Sequence, residues 1–252
     1  MHSVIAIPAR WSSSRFPGKI LADLDGIPVL KRVWTKACAV TDVDEVVVLV
    51  DEDMVRQEAM SWGAKVITTS PDCSCGTERI ASALDRIEGD FIINLQADEP
   101  LLDINVLKKI VQFAKNNDCE MVTPVFKLVN SEDIFDQNLV KVVVNSLGEA
   151  MYFSRSTIPF IRDEKDRSKW LEAYNFLGHI GVYGYAREVL LKYYSLKSSK
   201  LEDVEKLEQL RFLDNGFRIS TLMADGPTIE INTPEDMQKA LEFLKNSVDH
   251  RS

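Results

Sequence analysis

VIAIPARWSSSRFPGKIL, Val4 to Leu21, joins a strand-like apolar run to a loop crowded with cations. Val4 to Ile7 is short, rich in β-branched side chains and bare of charge, as a strand covered on both faces should be. Similar runs recur at Glu45 to Val50, Lys65 to Thr68, Phe91 to Leu95 and Met121 to Val125. Between them Val29 to Ala39, Asp53 to Trp62, Thr77 to Ile87 and Ile104 to Asn116 carry helical spacing. Apolar strands alternating with helices predict a doubly wound α/β class with a parallel sheet. In such sheets ligands sit beyond the carboxyl ends of the strands, which points to the loops beginning at Ala9, Asp51 and Gln96.

The rhythm changes after about Asn130. Lys141 to Asn145 and Ala150 to Ser154 flank Ser146-Leu147-Gly148-Glu149 and read as a hairpin, Arg162 to Lys169 as an exposed charged loop, and His179 to Tyr185 as one further strand. Residues 127–200 read as a lobe inserted into a single domain of 252 residues. Leu201 to Asp214 is expected to be helical up to Asn215-Gly216. Pro234 to Asn246 forms another helix, with Thr233 as N-cap, Pro234 at the first position, and Glu235 and Asp236 in the first turn.

Thirty-nine acidic residues against 30 basic ones, a net charge of -9, argue against nucleic-acid binding through bulk charge. No apolar run approaches the ~20 residues of a membrane helix, and the N-terminus enters a strand without a leader, so a cytoplasmic protein is expected. Cys38, Cys73, Cys75 and Cys119 are too few for a disulfide framework, and Cys73-x-Cys75 lacks the second pair that a zinc site needs. His2, His179 and His250 cannot build a histidine-rich metal site, and only His179 could serve a serine triad.

The first loop gathers Arg10, Arg15 and Lys19, with Ser12, Ser13 and Ser14 as further donors and Pro17-Gly18 as a turn. In an acidic protein this is a pocket for a polyanion such as a nucleoside triphosphate, because charge-assisted bonds to phosphate are the strong ones. A merely solvated basic loop is the plain alternative. Neither GxxxxGK[ST] nor GxGxxG occurs, which removes the main support for a hydride-transfer enzyme.

Seven blocks then fall in a familiar order: IPARWSSSRFPGK (7–19), CGTERI (75–80), NLQADEP (94–100), KVV (141–143) with YFSRSTIP (152–159), HIGVYGY (179–185), LEQLR (207–211) and NTPED (232–236). Together they resemble the CMP-Kdo synthetase family, 3-deoxy-manno-octulosonate cytidylyltransferase, over essentially the whole chain. The resemblance implies a Rossmann-like nucleotidyltransferase fold: a mixed, mainly parallel sheet with helices on both faces and an inserted sugar-binding and dimerisation lobe. It also implies transfer of CMP from CTP to the 2-hydroxyl of Kdo with release of pyrophosphate, Mg²⁺ as cofactor, and a homodimer.

By the same resemblance Arg10 and Lys19 bind the triphosphate with Ser13, Arg79 and Gln96 on the nucleotide. Asp98 is the principal Mg²⁺ ligand, and with Arg10 and Lys19 forms the catalytic set. Arg15, Gln96, His179, Tyr183, Glu208 and Gln209 face the sugar acid. Taken alone, His179 reads as a core residue, Glu208-Gln209 as a solvated pair, and Tyr152, Phe153 and Tyr183 as packing.

Departures from the pattern cluster. Leu49-Val50 stands where the family has Ala-Thr, Cys75 where it has Ser, Ala97 where it has Gly, and Asn232 where it has a metal-binding Asp. In an extended Thr228 to Ile231, residues two apart share a face, so Glu230 is expected beside Asn232 as a replacement carboxylate, or else on an edge strand facing solvent. Three readings stay open: a Kdo cytidylyltransferase, an enzyme for another 3-deoxy-ulosonic acid or nucleotide, and a ligand-binding paralogue without turnover.

Overall fold

The computed structural model describes residues 1–13 and 15–249; Ser14, counted above among the loop's donors, and His250 lie outside the described residues. The chain divides into two compact units, Met1–Gln112 with Thr228–Ser252, and Phe113–Pro227. The lobe read from the sequence as 127–200 lies within the second.

The first unit runs β1 (Ser3–Ala9), a small hairpin of β2 (Asp23–Leu24) and β3 (Ile27–Pro28), α1 (Val29–Cys38), β4 (Glu45–Val50), α2 (Asp53–Ser61), β5 (Lys65–Thr68), α3 (Gly76–Ala81) and β6 (Phe91–Asn94), followed by the start of α4 (Ile104–Asn116). Its strands lie in the order β5-β4-β1-β6, all parallel, with Val4 opposite Glu45 and Phe91 opposite Ser3. All seven residues of β1 are buried, the signature of a strand sandwiched between layers. The helix expected over Thr77 to Ile87 is shorter, α3 followed by a single 3-10 turn at Leu84–Arg86. Ser82 Oγ bonds back to the Arg79 carbonyl at 2.8 Å, the side-chain competition that ends regular helix.

The second unit contains β7 (Met121–Lys127), β8 (Lys141–Val144), β9 (Ala150–Ser154), α5 (Trp170–Ala173), β10 (Leu177–His179), β11 (Tyr183–Ala186), α6 (Arg187–Leu191), α7 (Lys200–Glu205), α8 (Gln209–Asp214) and β12 (Ile219–Met223). β7 pairs antiparallel with β10 and β11 and parallel with β12, and β8 and β9 form the expected hairpin.

Two expectations fail here. His179 to Tyr185 is not one strand, because its partner β7 carries Pro124. The Pro124 carbonyl accepts from the Ile180 N–H at 3.1 Å, so its missing N–H falls on the same flank and the ladder cannot continue. The register against β7 slips by two residues between His179 and Gly184. Leu201 to Asp214 is likewise two helices, broken at Lys206 in the left-handed region (φ 56°). α7 buries no side chain, whereas Leu207, Leu210 and Phe212 are buried, so the break re-aims the second helix toward the core.

The chain returns to the first unit with α9 (Pro234–Asp249), opened as expected by Thr233. Thr233 Oγ1 accepts the Asp236 N–H at 3.2 Å, while Asp236 Oδ2 accepts from the N–H groups of Thr233 (3.0 Å) and Asn232 (3.1 Å), a reciprocal cap. Ile231, Met237 and Ala240 pack with Leu24 and Val29.

Candidate active site

Beyond the carboxyl ends of β1 and β6 lies a cavity of about 240 Å³, lined by Arg10, Ser12, Ser13, Arg15 and Lys19 from the first loop, Cys73 to Gly76 and Arg79, Gln96 to Asp98, and Asn232. Two of the three strand ends singled out from the sequence pattern, those after Ala9 and at Gln96, therefore meet at one place, while the loop beginning at Asp51 contributes no lining residue. Lys19 is nearly buried, and its ammonium reaches three acceptors: Asp98 Oδ2 at 2.5 Å, the Ile231 carbonyl at 2.8 Å and Asn232 Oδ1 at 3.2 Å. Arg15 Nη2 donates to the same Asn232 oxygen at 2.9 Å. Arg10 and Arg15 remain exposed at the rim.

The 228–231 segment forms no strand, against the edge-strand expectation, but Glu230 is exposed, as the solvent-facing alternative had it. The segment is held by one backbone bond, Ile231 N–H to the Asp98 carbonyl at 2.9 Å, which brings the two sequence-distant segments together. Glu230 lies two residues from Asn232, near enough for the Asn232 side chain to favour the charged form of its carboxyl. The Asn232 amide presents its oxygen to both Lys19 and Arg15. Desolvation, and then the neighbouring Asp98 charge, raise the Glu230 carboxyl above its usual range, although part of the residue stays exposed.

Glu99, unmarked by the sequence reading, is buried behind this cluster. Burial and the Glu230 charge push its carboxyl well up, and it accepts the Thr228 hydroxyl at 2.7 Å. Gln96 lies against Gly76, where an added Cβ would stand 3.1 Å from Gln96 Nε2 and 3.3 Å from Pro8 Cγ. Its Nε2 donates to Asn94 Oδ1 at 3.0 Å, and Asn94 Nδ2 to Thr77 Oγ1 at 3.3 Å. Arg79 lines the cavity but is 1% exposed and tied to Asp51, Thr69 and Ser70. Cys75 caps α3, its sulfur accepting the Glu78 N–H.

His179, Tyr183, Glu208 and Gln209 belong to the second unit. Burial drives the His179 pKa down to about 3, and its Nε2 lies 2.9 Å from Thr123 Oγ1. Tyr183 is buried with its ring 5.3 Å from the imidazole, which agrees with the packing role read from the bare sequence. Gln209 is 2% exposed rather than solvated, and its Nε2 has no hydrogen-bond partner among the described residues. The sequence marked Asp51 as the start of a strand-end loop but not as a partner of Arg79, whereas Thr123 and Glu99 carried no signal.

A model of the cytidylyltransferase family matches residues 4–219. A 3-deoxy-manno-octulosonate cytidylyltransferase of Chlorobium limicola is 42% identical over 250 residues, 98% of this chain and 99% of the relative. An 8-amino-3,8-dideoxy-manno-octulosonate cytidylyltransferase of Shewanella baltica is 38% identical over 249 residues, 97% and 99% of the two chains. Among solved structures, CMP:2-keto-3-deoxy-manno-octonic acid synthetase complexed with CTP matches with a TM-score of 0.91 at 34% identity, over 98% of this chain and 100% of the other. A family match over most of the length, with relatives aligned nearly end to end, leaves one conclusion: the chain belongs to the cytidylyltransferase family, in the group of CMP-Kdo synthetases.

Proposed function

We propose that this protein transfers CMP from CTP to the 2-hydroxyl of Kdo, giving CMP-Kdo for lipopolysaccharide synthesis and releasing pyrophosphate. The observation that carries this is the cavity in which Arg10, Arg15 and Lys19, from one loop, face the strand-end carboxylate of Asp98. The sugar oxygen bonds to the α-phosphorus as the bond to the pyrophosphate oxygen breaks, and the hydroxyl proton passes to solvent. Negative charge grows on the phosphate oxygens and the leaving group. Arg10 and Lys19 are the residues to meet it, and Lys19, already fixed by three acceptors, needs little reorganisation. Arg15 at the rim suits either phosphate or the sugar's carboxylate.

Magnesium is the expected cofactor, and the donor chemistry fits it. Asp98, Glu230 and Asn232 offer hard oxygens, the ligands such a cation takes. Among the described residues no three Asp, Glu, His or Cys side chains converge into a closed cage, which suits a cation that draws its other ligands from phosphates and water. When bound, it would neutralise charge on the triphosphate.

A second sugar acid, the 8-amino-3,8-dideoxy form, is favoured by the Shewanella relative. No helix among the described residues is long and apolar enough to cross a membrane, and we place the enzyme in the cytoplasm, where CTP is made. We also propose a homodimer through the second unit, where Met151 and Met223 are exposed; sedimentation velocity should give twice the mass of the chain.

The deciding experiment measures pyrophosphate release for CTP and UTP against Kdo and its 8-amino analogue, with Mg²⁺. Product with CTP and either sugar acid is expected. Product only with another nucleotide refutes the CTP assignment, and CTP binding without any turnover would indicate the ligand-binding paralogue.

A further inference from the structure

We infer that Arg79 and Asp51 form a buried positioning pair that sets the conformation of loop 10–19 through the Trp11 amide, with Arg79 acting on the loop instead of on the nucleotide. The inference rests on the reading of that loop as the phosphate-binding element.

Asp51 follows β4, and its side chain and that of Arg79 are 3% and 2% exposed. The two carboxylate oxygens are divided. Oδ2 accepts from Arg79 Nη2 at 3.0 Å, and Oδ1 accepts the Trp11 N–H at 3.0 Å. The other arm of the guanidinium is equally occupied, donating to Thr69 Oγ1 at 2.6 Å and the Ser70 carbonyl at 3.3 Å. Thr69 is itself fastened to β4, its N–H 2.8 Å from the Val50 carbonyl. One cation from α3 thus ties the segments after β4 and β5, and its carboxylate partner spends the remaining oxygen on the loop.

Trp11 passes that anchor along. Gly18 adopts φ +72°, and a Cβ there would lie 2.8 Å from Trp11 Cη2, so the indole rests directly on the glycine. The Gly18 N–H also points back to the Trp11 carbonyl at 3.4 Å. Both branches of the loop therefore meet at Trp11, with Arg10 immediately before it and Lys19 immediately after Gly18. Fixing one amide fixes the spacing of the two cations.

The alternatives separate at Asp51, which a nucleotide-binding Arg79 would not need. Asp51→Asn keeps the shape and the Arg79 cation but cannot serve two donors with two acceptor oxygens. The test is limited trypsin digestion of the ligand-free protein, following cleavage after Arg10, Arg15 and Lys19, together with binding of inorganic pyrophosphate and of CTP. We expect Asp51→Asn to speed cleavage within the loop and to weaken binding of both ligands, each roughly tenfold, an effect equivalent to about 1.4 kcal/mol. Cleavage elsewhere in the folded variant should change little, while the thermal midpoint falls because the Arg79 cation loses its buried partner. The double variant Asp51→Asn/Arg79→Gln, which strands no buried charge, should show the same loosened loop and guards against a single variant that does not fold.

Wild-type loop cleavage and affinity in a folded Asp51→Asn protein, alongside lost affinity in Arg79→Lys, would overturn the inference and return Arg79 to the nucleotide. Because digestion is read without ligand, it stands apart from the choice of substrate. Were the CTP reading wrong, wild-type protein would bind no CTP while the effect of Asp51 on the loop persisted.

Discussion

Thr123 has one hydroxyl proton and three neighbours to satisfy: the Val182 carbonyl at 2.8 Å, the Ile180 carbonyl at 3.3 Å and His179 Nε2 at 2.9 Å. Carbonyls can only accept, so the proton goes to them and His179 must carry its own on Nε2. That leaves Nδ1 as the acceptor face of a neutral ring. With its pKa held near 3 by burial, the His179 ring signals in an NMR titration should stay flat from about pH 8 to pH 5. Unfolded chain binds this proton below the ordinary histidine value near 6.5 and the folded protein does not, so stability is full above that value. It falls, by on the order of 1 kcal/mol per pH unit, as pH drops from there toward 3. Urea midpoints measured across that window should move to lower denaturant in the wild type and move less in His179→Phe. Glu230 makes the other residue-scale prediction. Glu230→Gln should raise the Mg²⁺ concentration for half-maximal pyrophosphate release several-fold, and Asn232→Asp on that background should restore it. An unchanged Mg²⁺ requirement would remove Glu230 from the cation site.

At the scale of elements, caps and breaks explain where the sequence pattern could be followed. The Thr233-Pro234-Glu235-Asp236 start was legible because every signal for it is local, and Thr233→Ala should lower stability by about 1 kcal/mol in thermal melts. β4, β5 and α4 end where apolar runs end, since a fully buried strand or a long amphipathic helix has one periodicity to satisfy. The split of β10 from β11 was invisible in their own residues; its cause sits on β7, at Pro124, and only pairing brings the two together. Asp25-Gly26, with φ of 55° and 78°, is a two-residue turn whose chemistry was present and went unread. Lys206 could not have been foreseen, because lysine has no preference for the left-handed conformation it adopts.

For the whole molecule, a net charge of -9 coexists with a pocket rimmed by exposed arginines. Such a field is local, so triphosphate affinity should weaken several-fold between low and physiological ionic strength at fixed free Mg²⁺, measured by calorimetric titration. The meeting of Arg10, Lys19, Asp98 and Asn232 was foreseeable at the level of strand ends and motif order. What escaped was the layer behind them, Glu99, Thr123 and the pairing of Asp51 with Arg79, since a buried polar residue shows its purpose only through partners far away in sequence.

Asn232 sits at the hinge between two kinds of order. Its side chain belongs to the cation cluster and its N–H to the cap of α9. Whatever clamps the side chain also restrains the first helical turn, so occupancy of the pocket is coupled to fraying of the C-terminal helix. Amide hydrogens at Asp236 and Met237, bonded into that turn, should exchange more slowly when ligand is bound, making α9 a reporter of filling at the opposite end of the sequence from the phosphate loop.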